Sequence, residues 1–345
     1  KLGKGAFGIV IKCFDHKLQK NVAVKIVRDT PNMHKQILLE KELLTLLHQN
    51  PTASTQHHLI QVLDVFTMEI HGINEKETEL SVESTFYAFV FELLGTDLDK
   101  SIRNKANLTD ISKLQLVARQ IVDSISYLHS LGYTHCDIKP ENILWTSTRK
   151  TTIKLIDFGC CCHHDATIFE YIQSRYYRAP EVIFGLSYSH EIDVWSFGCL
   201  LAELYTGKTL FKGENEQEMV QMFMSVLGEP PYSFYQYGTQ SKYYFDDEHQ
   251  PIIKPNSKGV VHGIRTTTFS ELLNLQNNDQ QLRGLIDVLE LCLKWIPSER
   301  ITMKDLMNNP WINRIRVKPP STAPSTSRPR IGRTRTNITA SNKRK

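Results

Sequence analysis

The sequence predicts an α+β fold of two lobes, a small β-rich lobe followed by a large helical lobe. Short apolar segments with strand-like alternation occupy most of residues 1–94, and they enclose one amphipathic helical segment. From about residue 97 the apolar residues recur at helical spacing instead, and this pattern continues to about residue 313. In α+β folds, strands and helices are grouped in separate parts of the chain and do not alternate strictly. We therefore expect one lobe at residues 1–94 and the other at residues 95–313.

The elements of the two lobes can be assigned in chain order. Residues 1–28 are predicted to form short strands around a glycine turn, in the stretches KLGKGAFGIVIKCF and NVAVKIV. A helix is predicted at residues 35–48, where KQILLEKELLTLLH places apolar residues on one face. The stretches LIQVLDVFTM and FYAFVFELL predict two further strands. In the second lobe, KLQLVARQIVDSISYLHSLG predicts a helix that ends at Gly132, because glycine commonly follows the last helical residue.

Length and composition fit a soluble globular protein, with 345 residues of which 41% are hydrophobic and 23% charged. No apolar run approaches the roughly 20 residues needed to span a bilayer, so no membrane span is expected. The chain starts inside a glycine-rich stretch, which suggests that the beginning of the first strand is missing. The seven cysteines include no C-x-x-C pair, so disulfides and a tetrahedral zinc site are not expected. We expect the reduced thiols of an intracellular protein, cytoplasmic or nuclear.

The basic charge of the chain lies in residues 314–345. This stretch holds 10 Lys and Arg and no Asp or Glu, which leaves 31 basic and 37 acidic side chains, a net charge of −6, in residues 1–313. Ser, Thr, Pro and Arg dominate the stretch, so it cannot bury a core and is expected to be disordered. A basic disordered tail can serve as a nuclear import signal or bind an acidic partner. A merely solvated tail is at least as good an interpretation.

The stretch Gly3-x-Gly5-x-x-Gly8-x-Val10 has glycines where a backbone must approach phosphate groups closely. Dinucleotide-binding turns share this spacing, but such turns open a helix. Here the chain continues into the β-branched run I-V-I, which favours a strand. The V-A-V-K stretch that follows places Lys25 on the next-but-one strand, where it would bind the α- and β-phosphates. The two motifs together indicate a phosphate-binding site far more specifically than either motif alone.

A second group of candidate residues lies in YTHCDIKPENIL, residues 133–144, and in the Asp-Phe-Gly that begins at Asp157. Asp137 can accept the proton of a substrate hydroxyl, and Lys139 can neutralise a γ-phosphate. Asn142 can ligate Mg²⁺, and Asp157 supplies the main metal-bridging carboxylate. Phosphoryl transfer depends mostly on positioning and charge neutralisation, so these few groups around Mg·ATP suffice.

Further motifs follow in order: A-P-E at residues 179–181, D-V-W at residues 193–195, and W-x-P-S-E-R ending at Arg300. The complete series resembles a eukaryotic protein kinase over residues 1 to about 313. The resemblance implies a small β-rich lobe, a larger helical lobe and ATP between them. It also implies that Arg300 pairs with Glu181.

The resemblance assigns further residues to the nucleotide site. Lys25 needs an anion to hold it, and the helix at residues 35–48 offers Glu40 and Glu42; the kinase spacing selects Glu40. The backbone of the hinge, Glu92–Leu94, would hold the adenine, and Asp97 is placed for the ribose. Phe91 would act as a large gatekeeper that narrows the pocket behind the adenine.

The sequence is similar to one branch of the kinases. Lys139 in DIKPEN is the pattern of kinases that act on Ser and Thr. SRYYRAPEVIFGLSYSHEIDVWSFGCLLAEL resembles the branch of cyclin-dependent and MAP kinases, and residues 229–270 fit an insert of that branch. Within it, H-C-D together with EYIQSRYYRAPE, LLGTDL and the closing VKPP resembles the dual-specificity tyrosine-regulated kinases. Homeodomain-interacting kinases share Q-S-R-Y-Y-R-A-P-E but usually have alanine in place of Cys136, and they are the alternative.

A kinase-fold scaffold without activity is a second alternative. Such proteins typically lack the strand lysine, the loop aspartate or the metal aspartate. Lys25, Asp137 and Asp157 are all present here. We therefore expect an active, dual-specificity Ser/Thr kinase.

Cys136 stands where an arginine usually holds a phosphorylated activation segment. The resembled family phosphorylates a tyrosine in itself, and Tyr171 matches that tyrosine, whereas Phe169 replaces the tyrosine two residues earlier. Arg175 and Arg178 follow in the same segment. We expect them to bind the phosphotyrosine through about one to three charge-assisted hydrogen bonds.

The expected partners are protein substrates. The resemblance implies a preference for Pro just after the target Ser or Thr and for Arg two or three residues before it. Glu141 is placed to meet that Arg, whereas a second acidic position after the hinge is Lys100 here, with Asp99 beside it. A monomeric catalytic domain is expected, without a membrane partner and without direct binding of nucleic acid.

Overall fold

A computed structural model describes residues 1–5, 8–73, 80–104, 108–146, 151–164, 172–255, 257, 259, 264–273 and 280–314. Lys1–Arg314 form one compact unit. The predicted basic tail lies outside the described residues except for Arg314, so its disorder stays a prediction. Within the described ranges, no helix combines the length and the apolar character that crossing a bilayer requires.

The first part of the chain folds into one antiparallel sheet of five strands, in the spatial order β1-β2-β3-β5-β4. The strands are β1 (Gly3–Gly5), β2 (Gly8–Asp15), β3 (Lys20–Arg28), β4 (Val62–Ile73) and β5 (Leu80–Glu92). The sequence predicted the last two as shorter segments at residues 59–68 and 86–94. They are longer because they pair with each other as far as Ile73 and Leu80. Central strand β3 places Lys25 opposite Phe89 of β5, in the middle of the sheet.

Two helices, α1 (His34–Gln49) and α2 (Pro51–Gln56), connect β3 to β4. Helix α1 extends the predicted range of residues 35–48 by one residue at each end. Its buried side chains recur three or four residues apart, as the amphipathic pattern predicted: Gln36, Ile37, Glu40, Leu43, Leu44 and Leu47. The face that packs into the core therefore also carries Glu40 inward.

The second part is mainly helical and holds two short antiparallel strand pairs. Its helices are α3 (Leu98–Arg103), α4 (Ile111–Ser130), α5 (Pro180–Ile183), α6 (Glu191–Thr206), α7 (Glu216–Leu227), α8 (Tyr232–Tyr235), α9 (Phe269–Leu272), α10 (Gln280–Cys292) and α11 (Met303–Leu306). The strand pairs are β6 (Tyr133–Thr134) with β9 (Cys162–His163), and β7 (Ile143–Trp145) with β8 (Ile153–Leu155). The mixed α+β layout agrees with the prediction.

Local signals explain where helix α4 begins and ends. The Asp110 side chain accepts hydrogen bonds from the backbone N–H groups of Ser112 and Lys113, which satisfies donors that lack partners in the first turn. The helix ends at Ser130, and Gly132 follows with φ 84°, a left-handed conformation that glycine adopts without strain. The predicted stop at Gly132 is confirmed. It turns the chain into β6, which leads to the loop of Asp137.

Helix α6 is buried along nearly its whole length, from Ile192 to Leu204. Arg300 forms a bidentate pair with Glu181, with Nη1 2.6 Å from Oε1 and Nη2 2.7 Å from Oε2. Both side chains are buried, and the guanidinium also lies 5.2 Å from the ring centroid of Trp195 in α6. The predicted pairing of Arg300 with Glu181 is confirmed, and it fixes the A-P-E segment to the helical core.

Candidate active site

Lys25 lies between two carboxylates. Its Nζ is 2.5 Å from Oε1 of Glu40 in α1 and 2.8 Å from Oδ1 of Asp157. Burial alone would lower the pKa of Lys25, but the charges of Glu40 and Asp157 more than offset this and raise it. The lysine is therefore a fixed cation, and of the two glutamates considered from the sequence it is Glu40 that holds it.

Glu42 has a different partner. It lies near the hydroxyl of Tyr133 in β6, and burial, followed by the charge of Glu42, raises the pKa of Tyr133 to about 12. Gln36, one turn before Glu40, donates from Nε2 to the carbonyl of Cys161 at 2.9 Å. Helix α1 is thus attached both to β6 and to the stretch after Asp157, and these contacts fix its rotation so that Glu40 faces Lys25.

Asp157 is held in a conformation that directs its carboxylate at Lys25. Its φ of 62° lies in the left-handed region, and Oδ1 also accepts from the N–H of Gly159 at 3.3 Å. Burial alone would raise the pKa of Asp157, but the ammonium group of Lys25 outweighs burial and lowers it. A Cβ at Gly159 would lie 2.9 Å from Nζ of Lys25, so a side chain there would crowd the ion pair. Asp157 is therefore ionised at neutral pH and presents oxygen ligands.

The loop after β6 brings the other predicted residues together around Asp137. Lys139 Nζ lies 2.7 Å from Oδ2 of Asp137, and Asn142 Nδ2 donates to the same oxygen at 3.0 Å. Asn142 also donates to the carbonyl of Asp137 at 2.8 Å. The first and last residues of D-x-K-x-x-x-N are thus in contact, because Pro140–Asn142 form a short 3₁₀ turn that brings Asn142 back to Asp137.

Ser174 was not predicted from the sequence, and it completes this cluster. Its hydroxyl donates to Oδ1 of Asp137 at 2.8 Å and accepts from Nζ of Lys139 at 2.9 Å. It stands directly before the R-Y-Y-R stretch that the sequence analysis singled out. Serine alone is too common to reveal the contact, which joins residues 37 positions apart.

Asp193, at the start of α6, fixes the backbone of the loop. Its Oδ2 accepts from the N–H of His135 at 2.8 Å, and its Oδ1 accepts from the N–H of Cys136 at 3.0 Å. His129 Nε2 lies 2.9 Å from Oδ2 as well. Cys136 has φ 64°, a strained conformation for a residue with a side chain, and the two bonds to the buried carboxylate hold it there.

Cys136 itself points into the protein. Its side chain is fully buried, and its Sγ lies 3.2 Å from Sγ of Cys162 in β9. Burial, followed by the contact with Cys162, raises the pKa of the Cys136 thiol. The position at which the kinase resemblance implies an arginine is therefore a neutral interior contact between the loop and β9. Among the described residues, no group of His, Cys, Asp and Glu has metal-binding geometry, and this includes the run C-C-C-H-H at residues 160–164.

A cavity of about 350 Å³ lies against these residues. Its walls include nine of the predicted site residues: Gly3, Gly8, Val10, Lys25, Glu40, Glu92, Leu94, Asp97 and Asp157. Phe91 lines it too, at the position assigned to the gatekeeper. Gly5 pairs with Gly8 across the glycine turn. Lys25, assigned to phosphates, and Asp157, assigned to the metal, thus lie at one cavity with the hinge assigned to the base, whereas Lys139 and Asn142 are not part of its wall.

Two glycines, Gly3 and Gly8, bring backbone to the wall of the cavity. Gly8 has φ 157°, and a Cβ there would lie 2.2 Å from the carbonyl oxygen of Ile26 in β3. Only glycine fits that close approach. At Gly3, by contrast, a Cβ would meet no protein atom within 4 Å. Gly3 therefore leaves open space next to its backbone, as a phosphate-binding loop requires.

Asp97 stands at the N-terminus of α3, where its Oδ1 accepts from the N–H of Lys100 at 2.7 Å. Its Oδ2 lies 2.9 Å from Nζ of Lys100, whose side chain is mostly exposed. Asp99, one turn before Arg103, pairs with the Nε of that arginine at 2.8 Å. Both acidic residues after the hinge are therefore next to a cation of their own helix.

The predicted regulatory residues are only partly described. Tyr171 and Phe169 lie outside the described residues. Arg175 is exposed, and its Nη1 donates to the carbonyl of Glu214. The structure therefore does not test whether the two arginines meet Tyr171.

Arg178 is 1% exposed, and each of its three guanidinium nitrogens has a partner. Its Nε donates to the carbonyl of Ile172 and its Nη2 to the carbonyl of Gln173, both at 2.8 Å. Its Nη1 lies 2.6 Å from Oε1 of Glu216 in α7. Gln173 has φ 63°, in the left-handed region. The arginine thus holds an unusual backbone turn beside Ser174.

Comparison with known proteins places these features in a family. Residues 1–312 match the protein kinase domain family. The chain is 38% identical over 312 residues to the serine/threonine-protein kinase ppk5 of Schizosaccharomyces pombe, covering 90% of this chain and 35% of that protein. It is 37% identical over 302 residues to dual specificity tyrosine-phosphorylation-regulated kinase 2 of Drosophila melanogaster, covering 87% of this chain and 39% of that protein.

A third relative is dual specificity tyrosine-phosphorylation-regulated kinase 4 of Homo sapiens. It is 35% identical over 330 residues, covering 95% of this chain and 59% of that protein. The chain thus spans between about one third and three fifths of the length of these three relatives. The resemblance predicted from the sequence is confirmed: the chain belongs to the protein kinase domain family and is a eukaryotic protein kinase similar to the dual-specificity tyrosine-phosphorylation-regulated kinases.

Proposed function

We propose that this chain transfers a phosphoryl group from Mg·ATP to Ser and Thr residues of protein substrates. Protein kinase domains use ATP and a divalent metal. The observation that carries the proposal is the pair of charge clusters Lys25–Glu40–Asp157, which lines the cavity, and Asp137–Lys139–Asn142. The two clusters are joined by the backbone, because the N–H of Ile156, next to Asp157, donates to the carbonyl of Asn142 at 2.9 Å. Every side chain of the phosphoryl-transfer set is therefore present and in contact with its expected neighbours.

The cavity suits ATP. Its apolar walls, which include Val10, Ala23 and Leu144, fit the planar base, and its edge at Glu92–Leu94 offers backbone groups for hydrogen bonding. Lys25 would bind the phosphates as a fixed cation, next to the open backbone of Gly3. Asp97 would bind the ribose, and this requires its carboxylate to exchange or share its bond with Lys100.

The donor set suits Mg²⁺. Asp157 is ionised, and Asn142 has an amide oxygen; hard oxygen ligands of this kind are those that Mg²⁺ prefers. The chemistry that Mg²⁺ supplies when bound is neutralisation of the phosphate charge. The same two residues would hold it, and the bond from Asn142 to Asp137 would orient the amide.

Asp137 would orient the hydroxyl of the target residue and accept its proton as the new phosphate ester forms. Lys139, 2.7 Å from Asp137, would balance negative charge on the transferred group. Ser174 bridges both residues and would keep their side chains in the orientation that this step needs. Asp193 would keep the loop backbone fixed beneath them.

The turn at Gln173 supports a preference for Pro after the target residue. Arg178 occupies the carbonyls of both Ile172 and Gln173, next to Ser174 and the proposed position of the target hydroxyl. A backbone N–H of the residue after the target would find these acceptors taken and would lose its hydrogen bond to water on binding. Proline has no N–H to lose, so it is favoured there.

The proposal also includes a preference for Arg before the target residue. Glu141 lies at the rim of the cavity, and burial, followed by the nearby charges of Asp99 and Asp137, raises its pKa. An arginine of the substrate would relieve this repulsion. Asp99 already pairs with Arg103, so Glu141 would carry most of the interaction.

Autophosphorylation of Tyr171 and an intracellular location, cytoplasmic or nuclear, belong to the same proposal. The first follows from the similarity to kinases whose names include regulation by tyrosine phosphorylation. The second rests on the seven free cysteines, which suit a reducing compartment.

A transfer assay tests the proposal. The purified protein, with Mg·ATP and a library of Ser-, Thr- and Tyr-containing peptides, should phosphorylate Ser and Thr peptides, and chelation of the metal should stop the reaction. Asp157→Ala and Asp137→Asn should abolish transfer while the unfolding temperature stays near that of the unmodified protein. Binding of Mg·ATP without any transfer by the unmodified protein would instead support the scaffold alternative.

A further inference from the structure

An ion pair behind the hinge joins three segments of the chain, and the proposed mechanism uses neither of its side chains. Nζ of Lys154 in β8 contacts Oε1 of Glu92 and donates to Oγ of Ser54 in α2 at 2.6 Å. Glu92 is the last residue of β5, and its Oε1 also accepts from the N–H of Gln61 at 2.8 Å. The side chains of Lys154 and Glu92 are 11% and 23% exposed. The pair is therefore shielded from most solvent screening.

Backbone hydrogen bonds hold the surroundings of this pair in place. The N–H of Leu155 donates to the carbonyl of His58 at 2.8 Å, and the N–H of Ile60 donates to the carbonyl of Leu155 at 3.1 Å. Ser54 Oγ donates to the carbonyl of Leu59 at 2.9 Å. Residues 58–61 are thus bound along β8, and Lys154 extends from this frame to the hinge.

The two ends of the pair lie within a few residues of the proposed nucleotide contacts. Glu92 continues directly into Leu93 and Leu94, which line the cavity. Lys154 lies three residues before Asp157 along the strand that delivers the metal carboxylate. The ion pair therefore connects the segment assigned to the base with the segment assigned to the metal.

Opening the cleft would stretch this connection. Movement of the hinge relative to β8 separates Nζ of Lys154 from Oε1 of Glu92, and in a shielded site the lost attraction is larger than at an exposed surface. A shielded lysine without its partner is also costly, so the contact resists separation.

We propose that Lys154 and Glu92 form a tie that limits opening of the cleft and so act as positioning residues for the nucleotide. This inference rests on the proposed function, since it requires the nucleotide to bind at Glu92–Leu94. Without the tie, the free protein samples more hinge angles and a smaller fraction of molecules has the closed geometry. The apparent Kd for the nucleotide rises in proportion as the closed fraction falls, because only closed molecules bind with full affinity. The groups at Asp137 are unchanged.

Nucleotide binding measured without catalysis tests the tie. In Lys154→Met and Glu92→Gln, titration calorimetry should show the Kd for ADP raised by about three- to tenfold, as expected for loss of one coupled pair. KM for ATP should rise in parallel, and kcat should stay within about twofold. The double variant should be no weaker than the weaker single variant, because both changes remove the same interaction. Lys154→Arg, which keeps the charge, should retain most of the affinity.

The controls separate positioning from simple loss of stability. Val220→Ala creates a cavity at a buried site in α7, so it should lower the unfolding temperature and leave the Kd for ADP unchanged. Ser54→Ala removes one bond of Lys154 and is the milder second variant if Lys154→Met folds poorly; it should shift the Kd in the same direction.

Two results would overturn the inference. A Kd for ADP that changes no more in Lys154→Met and Glu92→Gln than in Val220→Ala overturns the tie and leaves the kinase assignment intact. Single-variant effects that multiply in the double variant show independent damage and overturn it as well. Absence of ADP binding by the unmodified protein would overturn the proposed function together with the tie.

Discussion

The hydroxyl of Ser174 donates a 2.8 Å hydrogen bond to Oδ1 of Asp137. It also accepts from Nζ of Lys139 at 2.9 Å, so one small side chain orients both charged residues assigned to phosphoryl transfer. Ser174 belongs to the segment that contains the left-handed turn at Gln173. The orientation of the catalytic loop is therefore coupled to the conformation of the neighbouring segment.

Replacing Ser174 tests this coupling. Ser174→Ala should lower kcat by about tenfold, ~1.4 kcal/mol of barrier, because Asp137 and Lys139 lose a shared hydrogen-bond partner. KM for ATP should change little, since Ser174 is not part of the cavity wall. Ser174→Thr keeps the hydroxyl and should retain most of kcat. Steady-state kinetics on one peptide measure both values, with Ser225→Ala as a matched control in α7; equal kcat in the two alanine variants would contradict the proposed coupling.

The engaged carbonyls of Ile172 and Gln173 give a prediction on substrates. A peptide with Pro directly after the target Ser should have kcat/KM about tenfold higher than the same peptide with Ala, because a buried N–H without a partner costs about 1–3 kcal/mol. The peptide with N-methylalanine has no N–H and should recover most of the loss. If N-methylalanine behaves like alanine, the shape of the proline ring matters rather than the missing N–H.

The candidate residues that the sequence indicates most directly are those whose spacing or close neighbours the sequence itself displays. Gly8 is required by the close approach to Ile26 in the adjacent strand, and D-x-K-x-x-x-N closes through one short turn. The kinase spacing selected Glu40, and in the structure Glu40 contacts Lys25 whereas Glu42 lies near Tyr133. Such patterns are local, and a sequence displays them directly.

The residues that were missed act through contacts between distant parts of the chain. Ser174 reaches Asp137 across 37 positions, and Lys154 reaches Glu92 across 62. Cys136 was understood as an absent arginine, whereas the structure adds its contact with Cys162. Ser, Lys and Cys occur widely and carry no spacing rule, so only the tertiary arrangement identifies these partners.

The histidines around β6 predict how stability depends on pH. The His190 ring stacks on His129 at 4.2 Å and lies 5.6 Å from His164, and its Nδ1 is 2.9 Å from Oγ1 of Thr134. Burial, followed by the charges of His129, His164 and His163, lowers the pKa of His190 from 6.5 to about 4, although Asp193 acts in the opposite direction. Between these two pH values the unfolded chain binds a proton at His190 that the folded chain does not.

Stability should therefore fall as the pH decreases from about 6.5 to about 4, and His190 should contribute no pH dependence above that window. His190→Phe keeps an aromatic ring against His129 and should flatten the slope of unfolding temperature against pH in this range. His16→Phe, at an exposed position, serves as the control and should leave the slope unchanged. An unchanged slope in His190→Phe would show that His190 is not the group responsible.

The tail is predicted to be dispensable for catalysis. Its composition gives it nothing to bury, and the compact unit ends at Arg314. Ending the chain at residue 320 should keep kcat on a short peptide within about twofold, less than 1 kcal/mol of barrier. A large loss would mean that the tail packs on the domain. Its charge suggests an import signal, so nuclear exclusion that deletion of the tail leaves unchanged would count against that role.

Cys136 excludes the usual way to hold a phosphate on the activation segment. It carries no positive charge, is fully buried and contacts Cys162, so an arginine at this position would place a cation in the interior. A phosphate on Tyr171 must find its cations elsewhere, and Arg175 and Arg178 are the nearest in sequence. Arg175 is exposed, whereas Arg178 would have to share a guanidinium that already binds Ile172 and Gln173.

We predict that the kinase phosphorylates Tyr171 itself. A phosphate adds about −1.5 to −2 charges, enough to order the segment if both guanidinium groups reach it. After expression in bacteria, intact-mass and peptide analysis should find phosphate on Tyr171 in the unmodified protein and not in Asp137→Asn.

Tyr171→Phe should lose activity severalfold. Adding Cys136→Arg to Tyr171→Phe should not restore activity, because the double variant has no phosphate to bind and buries an unpaired charge. Arg175→Gln should weaken activity of the phosphorylated protein more than Arg28→Gln, a control arginine in β3. Fully active protein with unphosphorylated Tyr171 would disprove the prediction, because the segment would then be ordered without the phosphate.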